Sequence, residues 1–359
     1  MNDTMVIVAA HRVDAETENT NPVIGSFDKW MLGIPLEFDQ MYEKLLSKLD
    51  PTFYHLIETV ITGSAQENSL AKGRIVRAHA IENRNKFRPS EVLSSLGTTI
   101  VMHLGKILPN VQNVFKLEAA CATGLVAVDV ASLIAKTRDQ VVMIMAVDKS
   151  TAPYFQVTFD SLNALASGPR YCAPFDTDRN GFAMGEGAAL MIVCTRTKAE
   201  QLKLPIIAEL NAVSTKTMAI HPTDPSNIDQ IQQFITDAIA TSKCSLDEFA
   251  YWDAHGTATP VGDELEYKIF DKIFNNHDVA ISSFKSRIGH CMAASALIEL
   301  VNGIENMREQ NITHNYGIVN KMINDDRIIT QACGTNKKTF IKTSFGFGGR
   351  NAVAVVTVK

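Results

Sequence analysis

The sequence predicts an α/β fold built as two successive halves, and three observations carry that reading. Short runs rich in Val and Ile are apolar at consecutive positions, the pattern of strands covered on both faces. Between them lie longer segments whose apolar residues return at helical spacing, and strands alternating with helices argue for α/β layering. Near residue 204 a charged helical tail, Thr197–Lys203, ends and a new strand begins at Pro205 without a flexible spacer. Residues 1–204 and 205–359 are therefore expected to form two halves of similar style that share a continuous interface.

The expected strands, in chain order, are Val6–Ala9, Thr59–Thr62, Val114–Leu117, Val141–Ala146, Ala188–Val193, Ile206–Leu210, Tyr251–Ala254, Ile281–Ser283, Phe340–Thr343 and Ala352–Val358. The expected helices are Leu36–Leu49, Glu91–Lys106, Cys121–Ala135, a stretch over 228–239, Glu264–Ile273 and Ala293–Met307. Over 228–239 the stripe is explicit: Ile228, Ile231, Phe234, Ile235, Ala238 and Ile239 fall on one face.

Composition narrows the function classes. The 359 residues carry 34 Lys and Arg against 39 Asp and Glu, a formal charge of −5, and 46% are hydrophobic. That is globular composition with no global nucleic-acid footprint. The start, MNDTMVIVAAHRV, lacks the basic region of a secretory signal, and apolar runs such as Val141–Val147 are too short to span a bilayer. Six cysteines at irregular spacing do not resemble a disulfide framework. A soluble, cytoplasmic protein with reduced thiols is expected, without membrane insertion.

Chemistry is first suggested by FKLEAACATGLVAVDVASLIAK. A strand ends near Glu118, small residues turn the chain, and a helix starts at or near Cys121. A cysteine there meets the positive end of the helix dipole and unpaired backbone N–H groups, which favour thiolate. Ala119, Ala120, Ala122 and Gly124 leave room for a substrate. The competing reading is a buried core cysteine.

Two further clusters stand at strand ends, where open α/β sheets place their sites. His255-Gly-Thr-Ala-Thr259-Pro260 leaves the strand at Tyr251–Ala254. In ISSFKSRIGHCMAASALIELV, Lys285 follows a strand and Gly289–His290 open a helix that carries Glu299 about two and a half turns on. Lys285 is placed to pair with a carboxylate of that helix and to bias nearby protonation states. The plainer readings are an incidental loop histidine, a solvated lysine and a capping histidine. Near the C-terminus, IKTSFGFGGRNAVAVV reads as strand–turn–strand, with glycines permitting a tight turn around Phe345 and Phe347. No helix follows, so it suits a phosphate loop poorly.

The ordered series CATG, DTDRNGFAMGEGAA, DAHGTATPVGD, KSRIGH and SFGFGG resembles the β-ketoacyl synthases of the condensing-enzyme, thiolase-like superfamily, from about Leu56 to the C-terminus. The resemblance implies a five-layered αβαβα fold with two pseudo-symmetric halves. It implies that Cys121 is the nucleophile accepting an acyl chain, with His255 and His290 as the catalytic histidines. Lys285 and its carboxylate partner Glu299, the gating Phe347, and Thr257 and Thr259 toward a pantetheine arm complete the set. Asp176–Gly187 would be structural. The implied reaction is decarboxylative Claisen condensation giving a 3-oxoacyl thioester, in fatty-acid or type II polyketide-like biosynthesis. It needs no metal or redox cofactor, because substrates ride on the phosphopantetheine of an acyl carrier protein. The resemblance further implies a dimer, with an identical chain or a ketosynthase-like paralogue.

Two departures stand out. The region before Cys121 is shorter than in typical members. A basic segment, AKGRIVRAHAIENRNKFRP, sets Lys72, Arg74, Arg77, Arg84, Lys86 and Arg88 against Glu82 alone, and is a substitute docking patch for an acidic carrier or simply a solvated face. Arg350 stands where the family has Thr after G-F-G-G. Among alternatives, a chain-length-factor-like partner would lack the nucleophile. A degradative thiolase would have a second cysteine where Phe347 stands, and a Cys-His-Asn synthase would have Asn at His290. Cys121, His255 and His290 lack metal-ligand spacing.

Overall fold

A computed structural model describes residues 3–21, 23–24, 30–65, 69–95, 99–168, 171–218 and 228–359. The chain begins with β1 (Met5–Asp14), β2 (Val23–Ile24), β3 (Trp30–Leu32), α1 (Phe38–Ser47) and β4 (Ile57–Gly63). It continues through α2 (Ser69–Ala80), α3 (Pro89–Ser95), α4 (Thr99–Ile107), β5 (Asn113–Leu117), α5 (Thr123–Arg138), β6 (Val141–Lys149), α6 (Pro153–Asp160), β7 (Met184–Thr195) and α7 (Arg196–Gln201). Then follow β8 (Ala208–Thr217), α8 (Ile228–Ser242), β9 (Phe249–Asp253), α9 (Pro260–Phe274), β10 (Ala280–Ser282) and α10 (Lys285–Ile288). The chain closes with α11 (Met292–Arg308), β11 (Asn311–Ile312), β12 (Cys333–Gly334), β13 (Thr339–Gly346) and β14 (Arg350–Val358).

Ten strands form one path, β10-β9-β13-β14-β8-β1-β7-β6-β4-β5. Counted within its own half, each set runs first, fifth, fourth, second, third outward from the central β1–β8 pair. The pairing directions repeat too. β4 lies parallel to β5 and β6, with β7 and β1 antiparallel beyond. β9 lies parallel to β10 and β13, with β14 and β8 antiparallel beyond.

Strand alternation assigns the layers. In β6, Val142, Ile144 and Ala146 face one core with α5 and α11, while Val141, Met143, Met145 and Val147 face another with α1 and α4. In β14, Ala352, Ala354 and Val356 join the same central core, whereas Val353 and Val355 pack with α8 and α9. The order is therefore helix, sheet, helix, sheet, helix. The continuous apolar runs are explained: both faces are buried, so neither can be polar.

Several boundaries differ from the sequence reading. β8 starts at Ala208 rather than Ile206 and continues through polar residues to Thr217, because β14 supplies ladder partners as far as the Arg350–Thr217 pair. β1 and β7 likewise outrun their apolar cores. The single helix expected over Glu91–Lys106 is two, α3 and α4; residues 96–98 between them lie outside the described residues. The helix α2 within the basic segment was not expected. Among the described residues one helical stretch, Ala120–Arg138, is long and apolar enough to cross a membrane by length and composition alone. Its apolarity comes largely from small residues, and its inner side packs in the central core.

The centre is tight where α5 crosses α11. A Cβ on Gly124 would lie 2.4 Å from the Leu297 backbone nitrogen. Gly105, on α4, has open space around the same position. Gly124→Ala is expected to cost about 1–3 kcal/mol by overpacking, whereas Gly105→Ala should gain up to about 1 kcal/mol of helix propensity. Denaturant unfolding of the two variants checks the contrast; equal effects would contradict the close crossing.

Candidate active site

The Cys121 turn is built by local sequence. After β5, Ala120 adopts φ 49° and Ala122 caps α5. Thr123 staples the turn: its Oγ1 accepts from Ala119 N at 2.8 Å and donates to the Ala120 carbonyl at 2.7 Å. Ser344 Oγ donates to the Cys121 carbonyl at 3.0 Å, tying the turn to β13. Close approach of the β13–β14 turn requires Gly346, whose Cβ would lie 2.8 Å from the Ala119 carbonyl oxygen and 3.2 Å from Ala122 N.

His290 follows α10 and precedes α11 by one residue, so it does not itself open the helix as expected. Its backbone N–H donates to the Ala183 carbonyl at 2.7 Å, and its carbonyl accepts from Gly185 N at 3.0 Å. Its Nδ1 lies 2.9 Å from Ser295 Oγ, and its Nε2 lies 3.1 Å from Cys121 Sγ. The His255 ring stands nearly perpendicular to that of His290, with centroids 5.8 Å apart. The Glu266 carboxylate accepts from His255 N at 2.8 Å, Gly256 N at 2.9 Å and Thr343 Oγ1 at 2.6 Å.

Beneath the histidines lies a buried charge cluster. Lys285 Nζ is 2.6 Å from Glu299 Oε1, both side chains being fully buried. The other Glu299 oxygen lies 2.5 Å from Lys342 Nζ, which is 3.4 Å from Asp253 and donates to the Ala254 carbonyl at 2.9 Å. Burial, reinforced by the positive charge of Lys285 and Lys342, pushes both His255 and His290 well below 6.5. Both are neutral imidazoles at physiological pH.

The thiolate expected at Cys121 is corrected. Cys121 precedes the N-cap and is buried; burial pushes its thiol up to about 12, with Lys285 opposing and Asp148 and Glu299 adding to the rise. The resting pair is a thiol against a neutral imidazole. Dipole and donors are too weak to outweigh desolvation.

Phe347 sits half-exposed at the β13–β14 turn. It heads a line of rings leading inward: Phe347 to Phe159 at 6.2 Å, Phe159 to Phe182 at 5.7 Å, and Phe182 to His290 at 4.9 Å between centroids. Thr257 and Thr259, on the loop into α9, have their hydroxyls 3.0 Å apart. Cys121, His255, His290, Lys285 and Glu299 thus converge, with Phe347 and the threonines around them. Sequence reasoning missed Glu266, Ser295, Ser344 and Lys342. Only Lys342 left a signal, a lysine inside an apolar strand. The basic segment is also less one-sided than its sequence: Arg84 pairs with Glu91 at 2.7 Å and stacks on Phe87.

Comparison with known proteins now bears on this geometry. The family models for the β-ketoacyl synthase N-terminal and C-terminal domains match residues 113–199 and 207–318, together more than half of the chain. The chain belongs to the β-ketoacyl synthase family. A chloroplastic 3-oxoacyl-[acyl-carrier-protein] synthase I of Hordeum vulgare is 31% identical over 191 residues, 51% of this chain and 41% of that protein. A 3-oxoacyl-[acyl-carrier-protein] synthase 2 of Mycobacterium leprae is 31% identical over 183 residues, 50% of this chain and 44% of that protein. The chain therefore spans less than half the length of these relatives. Among solved structures, a type II polyketide ketosynthase in complex with its acyl-carrier protein superposes with a TM-score of 0.84 at 19% identity, covering 100% of both chains. The ishigamide ketosynthase/chain length factor does so at 0.85 and 18%, also covering 100% of both. These likenesses establish the thiolase-like αβαβα fold of this family member.

The depressed histidines give this chain a pH signature. A group whose folded pKa lies below its unfolded value of 6.5 contributes stability that is lost as pH falls. Burial raises Asp253 and Asp263 to about 7, and these work in the opposite sense over the same range. The difference in unfolding free energy between wild type and His290→Asn isolates one histidine. Below about pH 6.5 it should fall, against wild type, by about 1.4 kcal/mol per pH unit. A difference that stays constant from neutral to acid pH would contradict a neutral buried His290.

Proposed function

We propose that this chain catalyses decarboxylative condensation of an acyl thioester, held on Cys121, with a malonyl-type extender on a carrier protein. The observation that carries it is the 3.1 Å contact between Cys121 Sγ and His290 Nε2, with a second neutral histidine alongside. In the first half-reaction the thiol proton passes to His290 Nε2 as sulfur attacks the acyl thioester. The carrier thiol then leaves with that proton, and Cys121 carries the acyl group. Backbone N–H groups at Cys121 and Phe347 are the proposed donors to the tetrahedral oxyanion, a role Gly346 favours by holding the two turns together. In the second, the malonyl carboxylate leaves as CO₂ and its electron pair moves into an enolate. With His290 now in its Nε2–H tautomer, its Nδ1 accepting from Ser295 Oγ, the Nε2–H groups of the two histidines stabilise the enolate oxygen, which neutral imidazoles do and a carboxylate does not. The carbanion displaces Cys121 and the 3-oxoacyl thioester is released. No step calls on a metal or redox cofactor.

For partners, we propose an acyl carrier protein and a second ketosynthase-like chain. Lys72, Arg74 and Arg77 are exposed on α2, and Arg74 and Arg77 flank a cavity of about 400 Å³, a surface suited to an acidic carrier helix. β5 is an edge strand with Phe115 exposed, which favours pairing with another chain. The six free thiols suit a reducing, cytoplasmic setting. A chain-length-factor-like partner role is the second reading. The neighbour that pairs a ketosynthase with such a factor favours it, and the intact Cys121–His290 contact speaks against it.

Mass spectrometry after incubation with a panel of acyl carrier thioesters should show one acyl group on Cys121, lost in Cys121→Ala. Arg74→Glu with Arg77→Glu should raise KM for the carrier substrate about tenfold, with a smaller effect at high salt. A chain that stays unacylated across the panel, alone and with a paralogue, would defeat the enzymatic reading in favour of the partner role.

A further inference from the structure

We propose that Lys342 is a positioning residue for the two histidines. Its ammonium, sealed between Glu299, Asp253 and the Ala254 carbonyl, completes a buried ion chain that anchors the His255 turn beneath both imidazoles. The functional meaning rests on the condensation reading; the geometry does not.

The chain runs Lys285, Glu299, Lys342, Asp253, and all four side chains are buried. Ions are costly to bury unless each finds a partner, and removing one leaves another orphaned. Lys342 is the link that makes the count balance: without it, two carboxylates share the single ammonium of Lys285. It also acts on the backbone, because the carbonyl it holds belongs to the residue directly before His255. Its neighbours on β13 extend the same function. Ser344, on the same strand face, holds the Cys121 carbonyl, and Thr343, on the opposite face, holds Glu266 and through it the His255 and Gly256 N–H groups.

Both imidazoles are surrounded by identifiable groups. His290 faces Cys121 before α5 and Ser295 on α11, and feels the charges of Lys285 on α10 and Lys342 on β13, both of which pair with Glu299 on α11. Asp148, on β6, accepts from Ala293 N close by. His255 faces His290, Lys285 and Lys342, with Glu266 of α9 on its backbone. Apart from Lys285, Lys342 is the one cation that acts on both rings among the described residues. Like charge opposes protonation, so removing the ammonium raises both histidine midpoints, and the orphaned carboxylates push the same way.

The test is imidazole-carbon NMR of the full chain labelled with ¹³C-histidine, between about pH 5 and 8. Wild type should hold His255 and His290 neutral throughout. Lys342→Met should raise both midpoints into that range. Lys342→Met combined with Asp253→Asn removes the ammonium together with the carboxyl group it contacts and should return them toward wild type. A folded single variant with unmoved signals overturns the proposal, as does a double variant that titrates like the single or fails to fold. A single variant that fails to fold beside a folded double variant supports it, since the orphaned carboxylate is then the defect. Condensation assays are read separately. The acidic limb of kcat should move up in the single variant and back in the double, whereas a wild type without turnover defeats the condensation reading and leaves the titration result standing.

Discussion

The crossing of α5 over α11 is the constraint on which the site depends. Gly124 lies against the Leu297 backbone with no room for a methyl group. Cys121 stands just before α5 and His290 just before α11, so the spacing of these two helices sets the distance between thiol and imidazole. A 3.1 Å contact between residues 169 apart in sequence is held by packing between sheets, and loop conformation only trims it. The rest of the fold serves this crossing. Two half-sheets, continuous through β1 and β8, press on the helix pair from both sides, and their outer faces are sealed by further helices.

Burial at that crossing carries an electrostatic consequence. Desolvation raises the thiol and lowers the imidazoles, so the resting site stores no charge on its reacting atoms. Charge is confined one layer down, in the lysine–carboxylate chain. A site with neutral reacting groups and fixed charges beneath suits a reaction whose two halves need opposite things. In the proposed condensation the first half takes a proton from sulfur, and the second offers N–H groups to an enolate. Permanent thiolate would serve the first half alone.

Much of this was legible in the residues. The strand runs, the two histidine loops and the cysteine turn follow from local pattern, because strand periodicity, glycine turns and small residues are local facts. Lys285 with Glu299 was also within reach, since both lie in one short segment. What escaped was non-local. Glu266 is eleven residues from His255 and touches it only because α9 folds back over β9. Lys342 looked like an interruption of an apolar strand, and its partners come from β9 and α11. The thiolate expectation failed for the same reason: a helix dipole is readable from sequence, but the depth at which the helix start is buried is not.

The repeat explains why one site can recruit from so many segments. β5 and β10 are the third strands of their halves, and the helices that come after them, α5 and α11, are equivalent. Cys121 and His290 thus occupy the same place in the two repeats, and their meeting follows from the pseudo-twofold. The asymmetry lies in the connections. Between the fourth and fifth strands, the second half has the short turn carrying Phe347, whereas the first half has the long segment from Ser150 to Ala183 with Phe159 and Phe182. These equivalent connections meet ring to ring above the site. One half therefore supplies a short turn and the other a long connection. Symmetric packing brings Cys121 and His290 together, and the unequal connections give the two sides of the site different surroundings.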